Sequence, residues 1–163
     1  SGDIASNILY GNPEGSEAEM TEAATIAQAT EFIEQKKKKY KSTISQGGSN
    51  VSGGQKQRLS IARAIAKHPD VYIFDDSFSA LDYKTDATLR AELKEKTAES
   101  TVMIVAQRIS TILHADQIIV LEDGQIVGKG THKELLKNCE AYYQIASSQL
   151  SEKELEEDLK EVE

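Results

Sequence analysis

The sequence predicts an α/β fold, and three features predict it. Two short apolar runs, at 71–74 and 101–106, have the length and composition of buried strands, and the first suits a parallel strand covered on both faces. Amphipathic helical patterns lie between and before them, from Gly54 to about Lys67 and at 85–98. Alternation of helices with apolar strands is typical of α/β proteins with a parallel sheet.

Composition narrows the class of protein. A chain of 163 residues with 39% hydrophobic residues can bury one core. Its net charge of −8 argues against a nucleic-acid-binding protein. The single cysteine, Cys139, excludes an internal disulfide and fits a reducing compartment. Because no apolar run is long enough to span a bilayer, we expect any link to a membrane to come through another segment or chain.

The first third of the chain predicts short helices and a loop. We expect a helix at 3–10 capped by Asp3, and an amphipathic helix at 17–28. Thr30 is a candidate cap for a further helical turn. The polar, glycine-rich stretch at 42–52 predicts a loop.

The rest of the chain carries clear stop and start signals. Pro69 ends the preceding helix by biasing the residue before it out of the helical region. Asp123-Gly124 is a strong turn signal between hairpin strands at 117–121 and 125–129. Thr131 begins a capping box that starts a helix. From Glu152 onwards we expect a solvated or frayed helix.

The stretch VSGGQKQR at 51–58 has the chemistry of an anion site. Free N–H groups and the dipole at the start of a helix attract negative charge. Gly53 and Gly54 let a phosphate approach the backbone. Ser52 adds a hydroxyl donor, and the Gln55 amide can donate or accept. A glycine-rich cap without a ligand is the alternative for a bare Ser-Gly-Gly.

The stretch VYIFDD at 71–76 places two carboxylates at the end of a strand. Asp75 and Asp76 would lie at the carboxyl edge of the sheet, where open α/β folds bind their ligands. Shortly afterwards, Asp82 precedes a charged helix and has the ordinary features of an N-cap.

Together these stretches resemble the signature and Walker B motifs of the ATP-binding cassette (ABC) transporters. VSGGQKQRLSIARAIA at 51–66 matches the signature and its helix almost letter for letter. The resemblance implies an ABC ATPase core of the P-loop NTPase type, with ATP and Mg²⁺ as cofactors. It implies that Asp75 holds Mg²⁺, through water, and that 52–55 contact nucleotide. It also implies that the segment ending in Asp82 is the D-loop, which communicates across a dimer.

Two positions depart from the family pattern. Where the family usually has a glutamate as general base, this chain has Asp76, whose carboxylate is set back by about 1.5 Å, one C–C bond. General base catalysis depends on hydrogen-bond reach. The stretch at 102–111 resembles the family's H-loop, but Gln107 replaces the histidine. Glutamine can hydrogen-bond a γ-phosphate but cannot carry a proton. Asp76 and Gln107 are therefore the candidate catalytic residues, both weakened.

The paired departures resemble the degenerate half of heterodimeric ABC exporters. In that family two nucleotides sit between head-to-tail domains, and each site combines the Walker motifs of one chain with the signature of the other. The resemblance implies that this chain's own Walker site binds ATP but hydrolyses it poorly. Its signature would complete the competent site of a partner. A homodimer that tolerates the substitutions is the alternative.

The phosphate-loop pattern G-x-x-x-x-G-K-[ST] is missing from the sequence. The resemblance covers residues 1 to about 148 and begins just after the family's Q-loop. We therefore expect a truncated domain: a helical subdomain at 1–68, the C-terminal part of the ATPase core at 69–150, and an acidic tail at 151–163. We also expect exposed strand edges and apolar surface.

NILYGN at 7–12 resembles the exporter branch of the family. The implied function is to power export, with a second half-transporter and a transmembrane domain as partners, at the cytoplasmic face of the cell membrane. No nucleic-acid partner is expected. The alternatives are a soluble ABC ATPase of chromosome or repair type, and a non-hydrolysing ABC regulatory module.

We predict that this chain alone neither hydrolyses ATP nor binds Mg-ATP tightly, because it has no phosphate loop to hold the phosphates. Isothermal titration calorimetry with Mg-ATP should show no saturable heat. Binding with a micromolar dissociation constant would contradict the prediction.

Overall fold

The computed structural model describes residues 2–160. The helices are α1 (Ile4–Ile8), α2 (Glu17–Ile26), α3 (Thr30–Glu34), α4 (Gly53–Ala66), α5 (Tyr83–Lys96), α6 (Ile109–Ile112), α7 (His132–Asn138), α8 (Glu140–Ser147) and α9 (Glu152–Lys160). The strands are β1 (Gly2–Asp3), β2 (Thr43–Ile44), β3 (Val71–Asp75), β4 (Thr101–Val105), β5 (Ile118–Glu122) and β6 (Gln125–Gly130). Strands β3 and β4 are parallel neighbours. This mixture confirms the α/β fold class.

The chain divides into two compact units, Ser1–Met103 and Ile104–Glu163, and each is described by itself. This division concerns compactness alone. The functional division at 1–68, 69–150 and 151–163 stays a prediction. None of the helices in the described part of the chain combines the length and the apolar composition that a membrane-spanning segment requires.

Helix α4 is the centre of the first unit and packs against α1 and α2. Its inward face is the apolar side of the predicted amphipathic pattern, and it buries Leu59, Ala62, Ile65 and Ala66. The helix ends before Pro69, and His68 has a φ of 48°. The proline therefore stops the helix as predicted.

Long side chains of α4 tie the earlier helices to it. The Arg63 guanidinium donates to the backbone carbonyl of Asn7 at 2.8 Å and to its side-chain oxygen at 3.2 Å. Arg58 donates to the carbonyl of Gln28 at 2.7 Å and lies 4.9 Å from the ring centre of Phe32. Burial lowers the pKa of Arg58, although the charge of Asp82 opposes this. These contacts hold the segments at Asn7, Gln28 and Phe32 against α4.

Two predictions about the first segment need correction. Thr30 is the first residue of α3, not its cap; Ala29 occupies the N-cap and makes no side-chain cap hydrogen bond. The stretch at 42–52 is not entirely loop, since β2 pairs antiparallel with β1 and brings Thr43 opposite Asp3. Asp3 caps α1 as predicted.

Reciprocal capping boxes recur along the chain. In α2, α7 and α9 a serine or threonine caps the helix and a glutamate three residues later bonds back: Ser16 with Glu19, Thr131 with Glu134, and Ser151 with Glu154. These bonds lower the pKa of the glutamates, with the backbone N–H contributing most for Glu19 and Glu134 and the Ser151 hydroxyl for Glu154. The box predicted at Thr131 is confirmed.

The predictions that β3 is covered on both faces and that β4 is buried are wrong for the described residues. In β3, Tyr72 and Phe74 are buried, whereas Val71 and Ile73 are 52% and 67% exposed. The larger apolar residues of β4 are also largely exposed. Successive side chains of a strand point to opposite faces, and here one face of β3 is packed. The expected exposed apolar surface is therefore present.

The hairpin of the second unit forms as predicted. Strands β5 and β6 are antiparallel, and the turn residues Asp123 and Gly124 both have positive φ, 49° and 76°. Such angles are those of the tight primed turns that aspartate and glycine favour. Ile118 and Val120 of β5 point into a core shared with α7 and α8.

The tail is helical, but it is not simply solvated. Leu155 of α9 is buried in the core of the second unit. Asp158 Oδ2 lies 3.1 Å from Nε2 of the buried His132, whose Nδ1 lies 2.7 Å from the Tyr142 hydroxyl. Burial, with the nearby Asp158 charge, raises the pKa of Tyr142 to about 12. The prediction of a solvated or frayed helix from Glu152 is therefore corrected as far as Lys160; 161–163 lie outside the described residues.

Candidate functional site

The signature turn is the capped start of α4. The Ser52 Oγ accepts a hydrogen bond from the Gln55 backbone N–H at 3.2 Å, and Gln55 Oε1 accepts from the Ser52 N–H at 3.1 Å. The N–H groups of Gly53 and Gly54 belong to the first helical turn, where no carbonyl one turn earlier can bond them. Ser52 and Gly53 are exposed. The turn thus presents backbone donors to the surface.

The capping box of α4 differs from those of α2, α7 and α9 in charge. Those three helices use glutamate at the third helical position, whereas α4 uses the neutral Gln55. A carboxylate there would repel a bound anion at the same helix end, because like charges a few ångströms apart oppose one another. Glutamine makes the same hydrogen bond without the charge. The start of α4 is therefore compatible with a phosphate.

A close backbone contact, which the sequence did not reveal, explains why position 54 is a glycine. A Cβ at this position would lie 2.9 Å from the carbonyl oxygen of Ala80. A Cβ at Gly53 would lie 3.6 Å from the Ala80 Cβ, an ordinary contact. The backbone of α4 thus touches the segment that follows β3, and only glycine allows the approach at Gly54.

The two carboxylates at the end of β3 have different surroundings. Asp75 is exposed, and its backbone carbonyl accepts from the Ser77 hydroxyl at 3.3 Å. Asp76 has a φ of 47°, the left-handed region that aspartate tolerates better than most residues. Its Oδ2 accepts from the Ser79 hydroxyl at 3.0 Å. The Asp76 carboxylate therefore bonds within its own loop.

The end of β3 could supply only some of the ligands of a magnesium ion, with phosphates and water supplying the others. Within residues 2–160 no group of three or more His, Cys, Asp or Glu side chains could hold a metal by itself. Mg²⁺ in nucleotide sites commonly takes one or two carboxylates, with phosphates and water completing the shell. The exposed carboxylate of Asp75 meets that requirement.

Gln57 is a site residue that the sequence analysis missed. Its Nε2 donates to the carbonyl of Asp76 at 3.0 Å and to the Ser79 hydroxyl at 3.0 Å. Its Oε1 accepts from the N–H of Ala80 at 2.9 Å. One signal was available: Gln57 lies three residues after Gly54, on the same face of the helix.

Asp82 is the N-cap of α5, as the ordinary interpretation predicts. Its Oδ1 accepts from the Thr85 N–H at 3.0 Å and its Oδ2 from the Thr85 hydroxyl at 2.7 Å. These bonds, the hydroxyl first and the backbone second, hold the pKa of Asp82 below its usual value. Its contact with nucleotide or with a partner stays a prediction.

Gln107 lies in the second unit, in the loop between β4 and α6, with its side chain exposed. A second missed residue, Gln149, fixes the backbone of this loop. Its Nε2 donates to the carbonyl of Gln107 at 2.9 Å, and its Oε1 accepts from the N–H of Ile109 at 2.9 Å. The Gln107 amide thus projects from an anchored backbone.

The structure brings most of the predicted site residues into one unit. The first unit holds the start of α4 and the segment from Asp75 to Asp82, which Gln57 joins by hydrogen bonds. Gln107 belongs to the other unit. The roles of these residues in binding and catalysis stay predictions.

Comparison with known proteins places the chain in a family. Residues 4–79 match the family model described as ABC transporter. An uncharacterized ABC transporter ATP-binding protein of Mycobacterium tuberculosis is 46% identical over 152 residues, covering 91% of this chain and 26% of the relative. A Bacillus subtilis protein of the same description is 44% identical over 149 residues, covering 91% and 26%. A candidate multidrug export ATP-binding/permease protein of Staphylococcus aureus is 42% identical over 146 residues, covering 90% and 25%.

A solved structure has the same fold. A bacterial Atm1-family ABC exporter with ATP bound superposes with a TM-score of 0.88 at 33% identity, covering 93% of this chain and 26% of the exporter chain. The chain thus spans about a quarter of the length of the relatives it matches. On the signature helix, the strand ending in Asp75 and these likenesses, the chain belongs to the ABC transporter family, as part of an exporter-type nucleotide-binding domain.

Proposed function

We propose that this chain is the C-terminal part of the ATP-binding and ATP-hydrolysing domain of an ABC exporter, with a catalytically degenerate Walker site of its own. Its signature turn would complete the competent site of a partner. One observation carries the proposal: the signature turn is complete and uncharged, whereas the Asp76 carboxylate bonds Ser79 in its own loop.

Asp76 is poorly placed to act as the general base. Its side chain is one methylene shorter than glutamate, which sets the carboxylate back by about 1.5 Å. The Ser79 hydroxyl already occupies one of its oxygens at 3.0 Å. A general base must lie within hydrogen-bond reach of the water it activates. Both features draw the carboxylate towards its own loop.

Gln107 supports the same conclusion by its chemistry. The family's histidine can accept and carry a proton near neutral pH, which an amide cannot do. The exposed amide of Gln107 can still donate a hydrogen bond to a phosphate oxygen. Gln107 would therefore weaken turnover without removing a hydrogen bond to nucleotide.

The signature turn and Asp75, which would serve two different ATP sites of the dimer, fit ATP and Mg²⁺. Ser52, Gly53, Gly54 and Gln55 would bind phosphate oxygens of a nucleotide through backbone N–H groups and side chains. Asp75 would hold Mg²⁺ through water. When bound, Mg²⁺ neutralises charge on the β- and γ-phosphates.

The relatives support the proposed assembly. One of them is a candidate export ATP-binding/permease protein, and the similar solved structure is an exporter. We therefore infer a transmembrane domain and a second half-transporter as partners, at the cytoplasmic face of the cell membrane. We also infer that this chain alone does not hydrolyse ATP. A non-hydrolysing regulatory module is a second candidate, favoured by Asp76 and Gln107 but opposed by the complete signature turn.

We predict that Asp76→Asn leaves most ATP turnover intact in the full-length transporter purified with its native partner. The amide oxygen of asparagine can still accept from Ser79, and the working base belongs to the partner. The measurement is the steady-state ATPase rate, with the partner identified by mass spectrometry. A loss of about 10²-fold or more, typical of removing a general base, would contradict the proposal. So would recovery of a dimer of identical chains.

We further predict that Gln55→Glu in the same complex lowers ATP turnover at least about tenfold, because it places a negative charge beside the bound phosphate. Helix capping should survive, since α2, α7 and α9 use glutamate in the same box. The matched control is the reverse exchange, Glu134→Gln in α7, which should leave turnover unchanged. Wild-type turnover by a folded Gln55→Glu transporter would show that the start of α4 meets no phosphate.

A further inference from the structure

The signature helix and the loop after β3 are joined through one side chain, Gln57. We propose that Gln57 is a positioning residue that locks the signature turn and the loop from Asp76 to Ala80 into one rigid element. The inference rests on the proposed function, because it assumes that the signature turn and this loop both contribute to ATP sites shared with a partner.

The Gln57 amide makes three hydrogen bonds to this loop, with both of its N–H donors and its oxygen. Its two N–H donors go to the Asp76 carbonyl and the Ser79 hydroxyl, each at 3.0 Å, and its oxygen accepts from the Ala80 N–H at 2.9 Å. Among side chains, only an amide supplies two N–H donors and a carbonyl acceptor together. A residue that merely filled space would need none of these three bonds.

The loop itself needs an outside anchor. It has no regular secondary structure, and it begins with Asp76 in the left-handed region. Phe78, packed 5.5 Å from the ring centre of Phe74, and the buried Leu81 hold its apolar side. Gln57 instead holds the polar backbone groups of Asp76 and Ala80. Without it, those backbone groups would lose their protein partner in α4.

The same loop also contacts α4 at the signature turn. Gly54 lies one helical turn before Gln57, and its backbone approaches the Ala80 carbonyl so closely that a Cβ would lie 2.9 Å from it. Displacing the loop relative to Gly54 would therefore break the three hydrogen bonds of Gln57. The signature turn and the loop leading to Asp82 should move together.

A purely structural role for Gln57 makes a different prediction. It would lower thermal stability and the yield of folded transporter, but the surviving molecules would turn over normally. A positioning role changes turnover by folded molecules, with little effect on the KM for ATP. It also requires Gln57 and Ser79 to act as one unit, because their side chains bond directly.

The test uses the full-length transporter purified with its partner. Gln57→Met keeps the length and removes the polar atoms, and we expect kcat to fall about 3- to 10-fold with KM changed less than about twofold, since each lost hydrogen bond is modest. Adding Ser79→Ala should cost less than the product of the two single effects. The exposed Gln117 of the second unit provides the matched control. Gln117→Met should leave the wild-type kcat unchanged, and it should leave the kcat of the Ser79→Ala variant unchanged as well.

If Gln57→Met fails to fold, Gln57→Glu replaces it, because glutamate keeps the acceptor for the Ala80 N–H and loses both donors. Wild-type kcat in a folded Gln57 variant, or effects of Gln57 and Ser79 that multiply independently, would overturn the inference. The result is separable from the proposed function: Asp76→Asn tests which chain holds the base, whereas the Gln57–Ser79 cycle tests the lock in either kind of dimer.

Discussion

The contact between the start of α4 and the loop after β3 is the constraint on which the rest of the site depends. Gly54 brings the two backbones together, and the Gln57 amide fixes them with three hydrogen bonds. Without this contact the signature turn would be an ordinary capped helix end. With it, donors for a phosphate and the carboxylates at the end of β3 occupy one rigid framework.

The signature turn is complete, whereas the candidate catalytic positions are weakened. The signature turn has exposed N–H groups and a neutral cap in Gln55, so an anion can bind without repulsion. The position after Asp75 holds a short carboxylate that bonds Ser79, and Gln107 stands where the family pattern has a histidine. An unequal pair of ATP sites explains both halves of this pattern with one dimer. A single self-sufficient site explains only the first.

Local patterns in the sequence predicted the elements well. Helical periodicity gave the buried face of α4, the capping box gave the start of α7, and Asp123-Gly124 gave the hairpin. Burial of the strands was not predictable, because an apolar run does not reveal whether both faces have partners. Gln57 bonds residues 19 to 23 positions away in the sequence, and Gln149 bonds residues 40 to 42 positions away. No local pattern encodes such bonds. The packing of Leu155 was missed because the surrounding charges suggested a solvated tail.

The central claim is that the ATP sites of the assembled transporter are unequal, and a single-turnover measurement tests it most directly. The full-length complex is loaded with ATP at both sites, freed of excess nucleotide, started with Mg²⁺ and quenched, and the bound nucleotides are then counted. The account predicts that one site converts its ATP to ADP while the other retains ATP. Conversion of both nucleotides at the same rate would contradict it.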